Sequence, residues 1–196
     1  AAVATALERE APGAGVVAHL LGANATRPPA EVAGVAEVRS LFHRIGVDPT
    51  KTRPSSEALM RRVLQGKGLP EVDPIVDVCN LCSFEHQMPL GLYDRDHLNG
   101  ALEVRLGRDG EGYDGIRKTR VSLAGRLAVA DADGPFGAPT SDSLRTAITP
   151  STARVLVVVF CPPERASAGL AAMLESVSDR LARHCGGHTL ALQVVQ

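Results

Sequence analysis

Hydrophobic and polar positions alternate with two different periods along this chain. Gly15 to Leu21, GVVAHLL, is a short apolar run that predicts a first buried strand, with His19 as a core or edge residue. Pro28 and Pro29 open a helix with Glu31 in its first turn. Val32, Val35, Leu41, Phe42 and Ile45 then keep an approximately helical spacing up to Gly46. A second helix follows Pro54, with Ser55 and Ser56 as caps, Glu57 in the first turn, Arg61 and Arg62 on a solvated face, and Gly66 and Gly68 at its end. The third begins at Asp73 as N-cap and Pro74 as first helical residue. Ile75, Val76, Val78, Cys79 and Cys82 form its apolar face, and Pro89 and Gly91 stop it, leaving Leu90 to Asp94 as a closing loop.

Further on the period shortens. Ala101 to Leu106 alternates as a strand, Arg108 to Gly115 reads as a turn, and Arg120 to Asp131 holds two short strands around Gly125. Gly107 to Gly112 is glycine-rich but carries acids and reads as a hairpin turn rather than a phosphate loop. Gly134 to Ser143, GPFGAPTSDS, reads as a loop. Arg154 to Phe160, RVLVVVF, predicts a strand buried on both faces. Pro162 and Pro163 start a long amphipathic helix that Gly186 and Gly187 stop, and Thr189 to Val195 is a last strand. Helices early, strands in the middle and a strand–helix–strand at the end predict an α+β (mixed α/β) fold. Residues 1–196 then form a single domain with a central mixed β-sheet flanked by helices.

Composition narrows the function. With 44% hydrophobic residues but only 3% aromatic and no Trp, a core built from Val, Leu, Ala and Ile is expected, and the scarcity of aromatics argues against a stacking platform for single strands. A net charge of −1 supplies no global basic field, so any RNA is met through a local patch or by a short end alone. Four cysteines are too few for a disulfide scaffold, and no apolar run approaches the roughly 20 residues of a membrane span. The start, AAVATALERE, lacks a basic leader region, so the expected setting is cytoplasmic.

The polar residues of the third helix need a destination. Asn80 lies inside an apolar helix, where an amide without partners is costly. With Ser83 it predicts one wall of a pocket between residues 73–94 and the 134–149 segment. Cys79-Asn-Leu-Cys82, with His86 one turn on, resembles a metal or redox motif in spacing. No second ligand pair follows at metal distance, so two small packed thiols and no metal are expected. No nucleophile elbow is present. Arg53-Pro54-Ser55-Ser56-Glu57 gathers a guanidinium, hydroxyls and a carboxylate at a helix start, a place suited to anions, with a structural arginine that ties a loop down as the equal alternative.

GVDPTKTRPSSEALMRRVL and VDPIVDVCNLCSFEHQMPLGLYD together resemble the B3/B4 domain. That is the aminoacyl-tRNA editing domain of the phenylalanyl-tRNA synthetase beta subunit, which also occurs as free-standing proteins. DADGPFGAPTSDSLRTAITPSTARVLVVVF resembles the family's second pocket-forming segment, so the likeness runs from about Leu41 to Phe160. It implies hydrolysis of the ester joining a wrong amino acid to the terminal adenosine of tRNA, without cofactor, DNA or membrane. A binding module for an amino acid or charged tRNA is the alternative. The family's Thr-Asn pair falls on Cys79 and Asn80, and its histidine falls on Gly91, as in free-standing members. The acidic specificity residue has no fixed counterpart among Ser141, Asp142 and Ser143. The resemblance implies Asn80, Ser83 and Thr146 as catalytic donors, and Cys79, Glu85, Gly91, Tyr93, Ala138 and Asp142 as the amino-acid site. Arg53, Ser55 and Arg145 are implied at the tRNA end.

Overall fold

A computed structural model of the chain describes residues 19, 20, 22, 28–116, 120–166 and 169–194. A 3-10 turn at Pro29–Glu31 leads into α1 (Ala33–Arg44), followed by α2 (Ser55–Leu64) and α3 (Pro74–His86). Eight strands come next: β1 (Leu90–Asp94), β2 (Glu103–Leu106), β3 (Gly112–Asp114), β4 (Arg120–Ser122), β5 (Leu127–Asp131), β6 (Gly134–Ala138), β7 (Ser141–Asp142) and β8 (Val155–Val159). A short α4 (Pro163–Ala166) and the long α5 (Leu170–Cys185) complete the described elements.

The α+β class holds, with the sheet divided into antiparallel ladders: β1–β8, β2–β5–β6–β7 and β3–β4. The β1–β8 ladder has apolar residues on both faces. Leu90, Leu92, Val155, Val157 and Val159 meet α1, α3 and α5, while Tyr93, Leu156 and Val158 meet Val129, Phe136 and Phe160. This explains the unbroken apolar run of β8. α3 is gripped between α2 and α5, so Phe84 packs with Met60 and Val63 while Cys79 and Cys82 pack on the α5 side.

The third helix starts as its sequence indicates, with the Asp73 carboxylate accepting from the Ile75 N–H at 3.0 Å. It ends on Gln87 in the left-handed region, φ 53°, and the buried Ser83 hydroxyl donates to Met88 O at 2.6 Å. This bond turns the chain directly into β1, so Leu90 to Asp94 is a buried strand rather than a closing loop.

Other expectations are corrected. Gly134–Ser143 is not a loop but holds β6 and β7, because Phe136 is fully buried and its small neighbours fit beneath other side chains. The supposed turn at Arg108 to Gly115 contains β3, and since β2 pairs with β5 the Gly107–Gly112 turn closes no hairpin. Ser55 and Ser56 do not cap α2: they lie inside it, Pro54 is the N-cap, and the Ser55 N–H donates to Pro139 O at 3.1 Å. The long last helix is divided at Gly169, φ 114°. Thr189 to 194 forms no strand, and Leu190, Leu192 and Val194 are exposed. The predicted first strand lies largely outside the described residues; His19 and Leu20 are helical, and His19 is exposed rather than in the core.

Two details can be tested by stability. A Cβ on Gly34 of α1 would overlap the Gln87 Cβ. Gly34→Ala should therefore cost about 1–3 kcal/mol. Adding Gln87→Gly, which removes the facing carbon and relieves the left-handed position, should recover most of that loss in denaturant melts. An unaffected Gly34→Ala protein would show that α1 is not seated on this end of α3.

Arg145 fastens the β5–β6 turn. Its guanidinium donates to both oxygens of the buried Asp131 carboxylate at 2.8 and 3.1 Å and to His97 O at 2.9 Å, and it covers the Phe136 ring at 5.9 Å. Burial pushes the Asp131 carboxyl upward, but the bonds from Arg145 and from the Asn99 and Asp133 N–H groups outweigh it and hold it below its ordinary value. A lowered folded value stabilises the fold above the unfolded value, near pH 3.9, and the benefit fades as pH falls through the folded one. Arg145→Ala should cost about 2 kcal/mol at neutral pH, less than a fully buried pair because the arginine is partly exposed. Melts run from pH 7 to 3 should show the gap to wild type closing below about pH 4; a gap of constant size would contradict the ionic account.

Candidate functional site

The site is built where α3, β1 and β7 converge. Tyr93 on β1 has no exposed surface, and its ring meets Phe136 edge-on with centroids 4.8 Å apart. A Cβ on Gly91 or on Gly137 would overlap its hydroxyl. A glycine at 91 is thus required by the phenol that occupies the neighbouring space. Asp142 on β7, opposite Gly137 in the ladder, brings its charge beside that phenol.

Asp142 acts on three groups from three elements. Burial first, and its negative charge second, push the Cys79 thiol, the Tyr93 phenol and the Tyr113 phenol upward, so all three are protonated at neutral pH. Tyr113 donates to Ser141 O at 2.5 Å and thereby helps fix the β7 turn. Sequence reading missed Tyr113 because it stands in a glycine-rich segment taken as a turn. Asn80, beside Cys79 on α3, is half-buried, and its amide makes no hydrogen bond with any described residue. Thr146 is fully buried, and its hydroxyl has no hydrogen-bond partner among the described residues.

The structure therefore brings Cys79, Gly91, Tyr93 and Asp142 together, with Asn80 adjacent in sequence on α3. Other candidates are held elsewhere. Ser83 is occupied by Met88 O. Glu85 faces α5, paired with Arg180 at 2.6 and 2.8 Å, not the amino-acid site. Arg145 is engaged by Asp131 rather than open to a phosphate. Ala138, by contrast, pairs with Ser141 in the ladder and is buried with Tyr113, Leu123 and Ala128, at the edge of this group. Arg53 lies over the buried Glu57, its Nε 3.8 Å away, beside Ser55 at the start of α2.

The cysteines of the CxxC face different neighbours. Cys79 feels Asp142, while Cys82, pushed up to about 11 by burial, lies near Arg180, Glu85 and Cys185. All four cysteines are free thiols, and thiols raised in this way are poor nucleophiles. Among the described residues no group of three or more His, Cys, Asp or Glu side chains is arranged to hold a metal. A cavity of about 240 Å³ opens elsewhere, lined by His86, Cys161, Arg165, Leu170 and Met173. Its Arg165 is tied to His86 O and Glu37, and burial raises its thiol, so it has neither an activated nucleophile nor the Asn80 amide.

No described helix is long and apolar enough to cross a membrane. The chain is similar to the phenylalanine–tRNA ligase beta subunit of Tropheryma whipplei, 37% identical over 118 residues, covering 59% of this chain and 12% of the relative. The Yersinia pestis subunit of the same name is 36% identical over 78 residues, or 39% of this chain and 10% of the relative. That of Neisseria meningitidis is 27% identical over 109 residues, or 55% and 14%. The chain thus spans only a small fraction of the length of these relatives. Residues 37–190 match the model of the B3/4 domain, and with the helical wall, the β1–β8 ladder and the β6–β7 turn all inside that span, the chain belongs to the B3/4 domain family.

Proposed function

We propose that this B3/4 domain acts in trans as an aminoacyl-tRNA deacylase, hydrolysing the ester of a mischarged tRNA. The observation that carries this reading is the half-buried Asn80 amide without a described partner, following in sequence the Cys79 that Asp142 reaches electrostatically. The relatives named as tRNA ligase subunits support the tRNA end of the proposal.

An aminoacyl ester is already activated, so the protein needs to hold it, position a water and donate hydrogen bonds to the oxyanion that forms. The Asn80 amide supplies such a donor. Water attacks the ester carbonyl, the carbon–oxygen bond to the ribose breaks, and the neighbouring ribose hydroxyl relays the proton to the leaving oxygen. The Asp142 charge suits the α-ammonium that every aminoacyl ester carries, and the Tyr93 phenol beside it keeps its proton. The Thr146 hydroxyl is the second donor in this scheme.

A non-catalytic binding module is the second reading. The protonated thiols and the engaged Ser83 favour it, because they leave the group around Asp142 without a strong base or nucleophile.

Asn80→Ala should lower turnover about a hundredfold or more, with an unchanged melting midpoint. Thr146→Val should lower it less. The measurement is release of labelled amino acid from a panel of charged tRNAs, including non-protein amino acids, with melts alongside. A folded Asn80→Ala protein at the wild-type rate removes Asn80 from the reaction. A wild type that binds charged tRNA but releases nothing establishes the binding module instead.

A further inference from the structure

Glu57 is the unexplained acid of the fold. Its carboxylate has no exposed surface, yet it lies in the first turn of a surface helix. Arg39 from α1 grips it with Nε on Oε2 at 2.7 Å and Nη2 on Oε1 at 3.0 Å. Arg61, one turn further along α2, places Nε on Oε1 at 2.8 Å, and Arg53 stands with Nε 3.8 Å from the same oxygen. Burial raises the Glu57 carboxyl, and the two close arginines more than reverse this, so it stays charged at neutral pH.

One bidentate arginine suffices to neutralise a buried carboxylate. Two more guanidinium groups beside it leave an excess of positive charge that water screens and that an anion would neutralise. Asp48 also acts on Arg39, but its carboxylate is exposed and accepts from the Thr50 N–H and hydroxyl. Net positive charge remains even with Asp48 counted. The terminal nitrogens of Arg53 and Arg61 make no hydrogen bond with a described residue, and these side chains are 46% and 33% exposed. Arg61 is held through Nε at 2.8 Å, which leaves its two Nη groups without a described partner, and a guanidinium receives phosphate through such groups. The Ser55 N–H bond to Pro139 O sets this cluster against the β6–β7 turn that carries Asp142.

We infer that Arg39, Arg53 and Arg61, held in place by the buried Glu57, form a clamp for the phosphodiesters of a single-stranded RNA end entering the site. The nature of the anion rests on the tRNA reading; the clamp itself rests on the cluster. Arg53 and Arg61 contact phosphate, Arg39 lends charge, and Glu57 is a positioning residue that fixes the guanidinium planes before binding. A chain with net charge −1 thereby meets a polyanion through one local patch.

The test uses the full chain and an RNA hairpin with a short single-stranded 3′ end carrying no amino acid, titrated at several salt concentrations. Wild type should bind. Arg53→Ala and Arg61→Ala should each weaken binding about tenfold and reduce the slope of log K against log[salt] by about 0.7. Arg61→Lys should keep the slope but not the full affinity. Glu57→Gln should weaken binding although it removes a negative charge, with melts reporting any loss of folding. A structural role alone would not change the salt slope of the folded variants.

Wild type that fails to bind the hairpin, or unchanged slopes in the Arg53→Ala/Arg61→Ala double variant, would overturn the clamp. So would arginine-dependent binding of inorganic phosphate without binding of RNA. Because the probe has no ester, the result is separable from the deacylase reading. A protein that binds RNA through these arginines but cleaves no ester keeps the clamp alone. One that cleaves esters equally well without the arginines keeps the deacylase alone.

Discussion

The buried Tyr93 ring joins the layers of this domain. It leaves β1, passes between the backbones of Gly91 and Gly137, and packs edge-on against Phe136 of β6. Either glycine replaced by any other residue would place a carbon on the hydroxyl. The β1–β8 ladder and the β2–β5–β6–β7 sheet are therefore held at a spacing set by one phenol. That spacing puts β7, and with it Asp142, within electrostatic reach of Cys79 on α3. Helix wall, strand and turn meet around one carboxylate because the aromatic ring between them fits in one arrangement.

Acids inside this protein are managed in a consistent way. Glu57 is held by arginines, Asp131 by Arg145 and backbone N–H groups, and Asp94 by Thr152 and the Asp96 N–H. In each of these three, hydrogen bonds outweigh burial and keep the carboxyl below its ordinary value. Asp142 lies within electrostatic reach of a thiol and two phenols, the Cys79, Tyr93 and Tyr113 side chains, which burial first and its charge second push upward.

Local chemistry was readable wherever a residue's role depends on its immediate neighbours. Asp73 and Pro74 start α3, glycine follows α1 and α2, and the branched run of β8 packs against apolar residues on both faces, although its residues are half-buried rather than buried. Asn80 stood out because an amide inside an apolar helix needs a reason. The segments richest in small residues misled. Phe136 and Gly137 take their places in β6 with Tyr93 lying against them, and no local pattern carries that information. The tail from Thr189 alternates as a strand should but has no strand beside it, since alternation says which face is apolar and not whether a neighbour exists.

The sequence by itself determined the α+β class, the start of α3, the glycines that follow α1 and α2, the apolar run of β8 and the resemblance to the B3/4 family, all properties of short stretches or of motif spacing. Only the tertiary structure decided which polar residues share a site. It turned Glu85 toward Arg180, Ser83 toward Met88 O and Arg145 toward Asp131, and it placed Cys79, Tyr93, Tyr113 and Asp142 together. It also gathered Arg39 and Arg61, separated along the chain, onto one carboxylate. The physical reason is that a charged or polar side chain takes whichever partner folding brings within about 3 Å, and that partner is set by packing across the chain rather than by sequence neighbours.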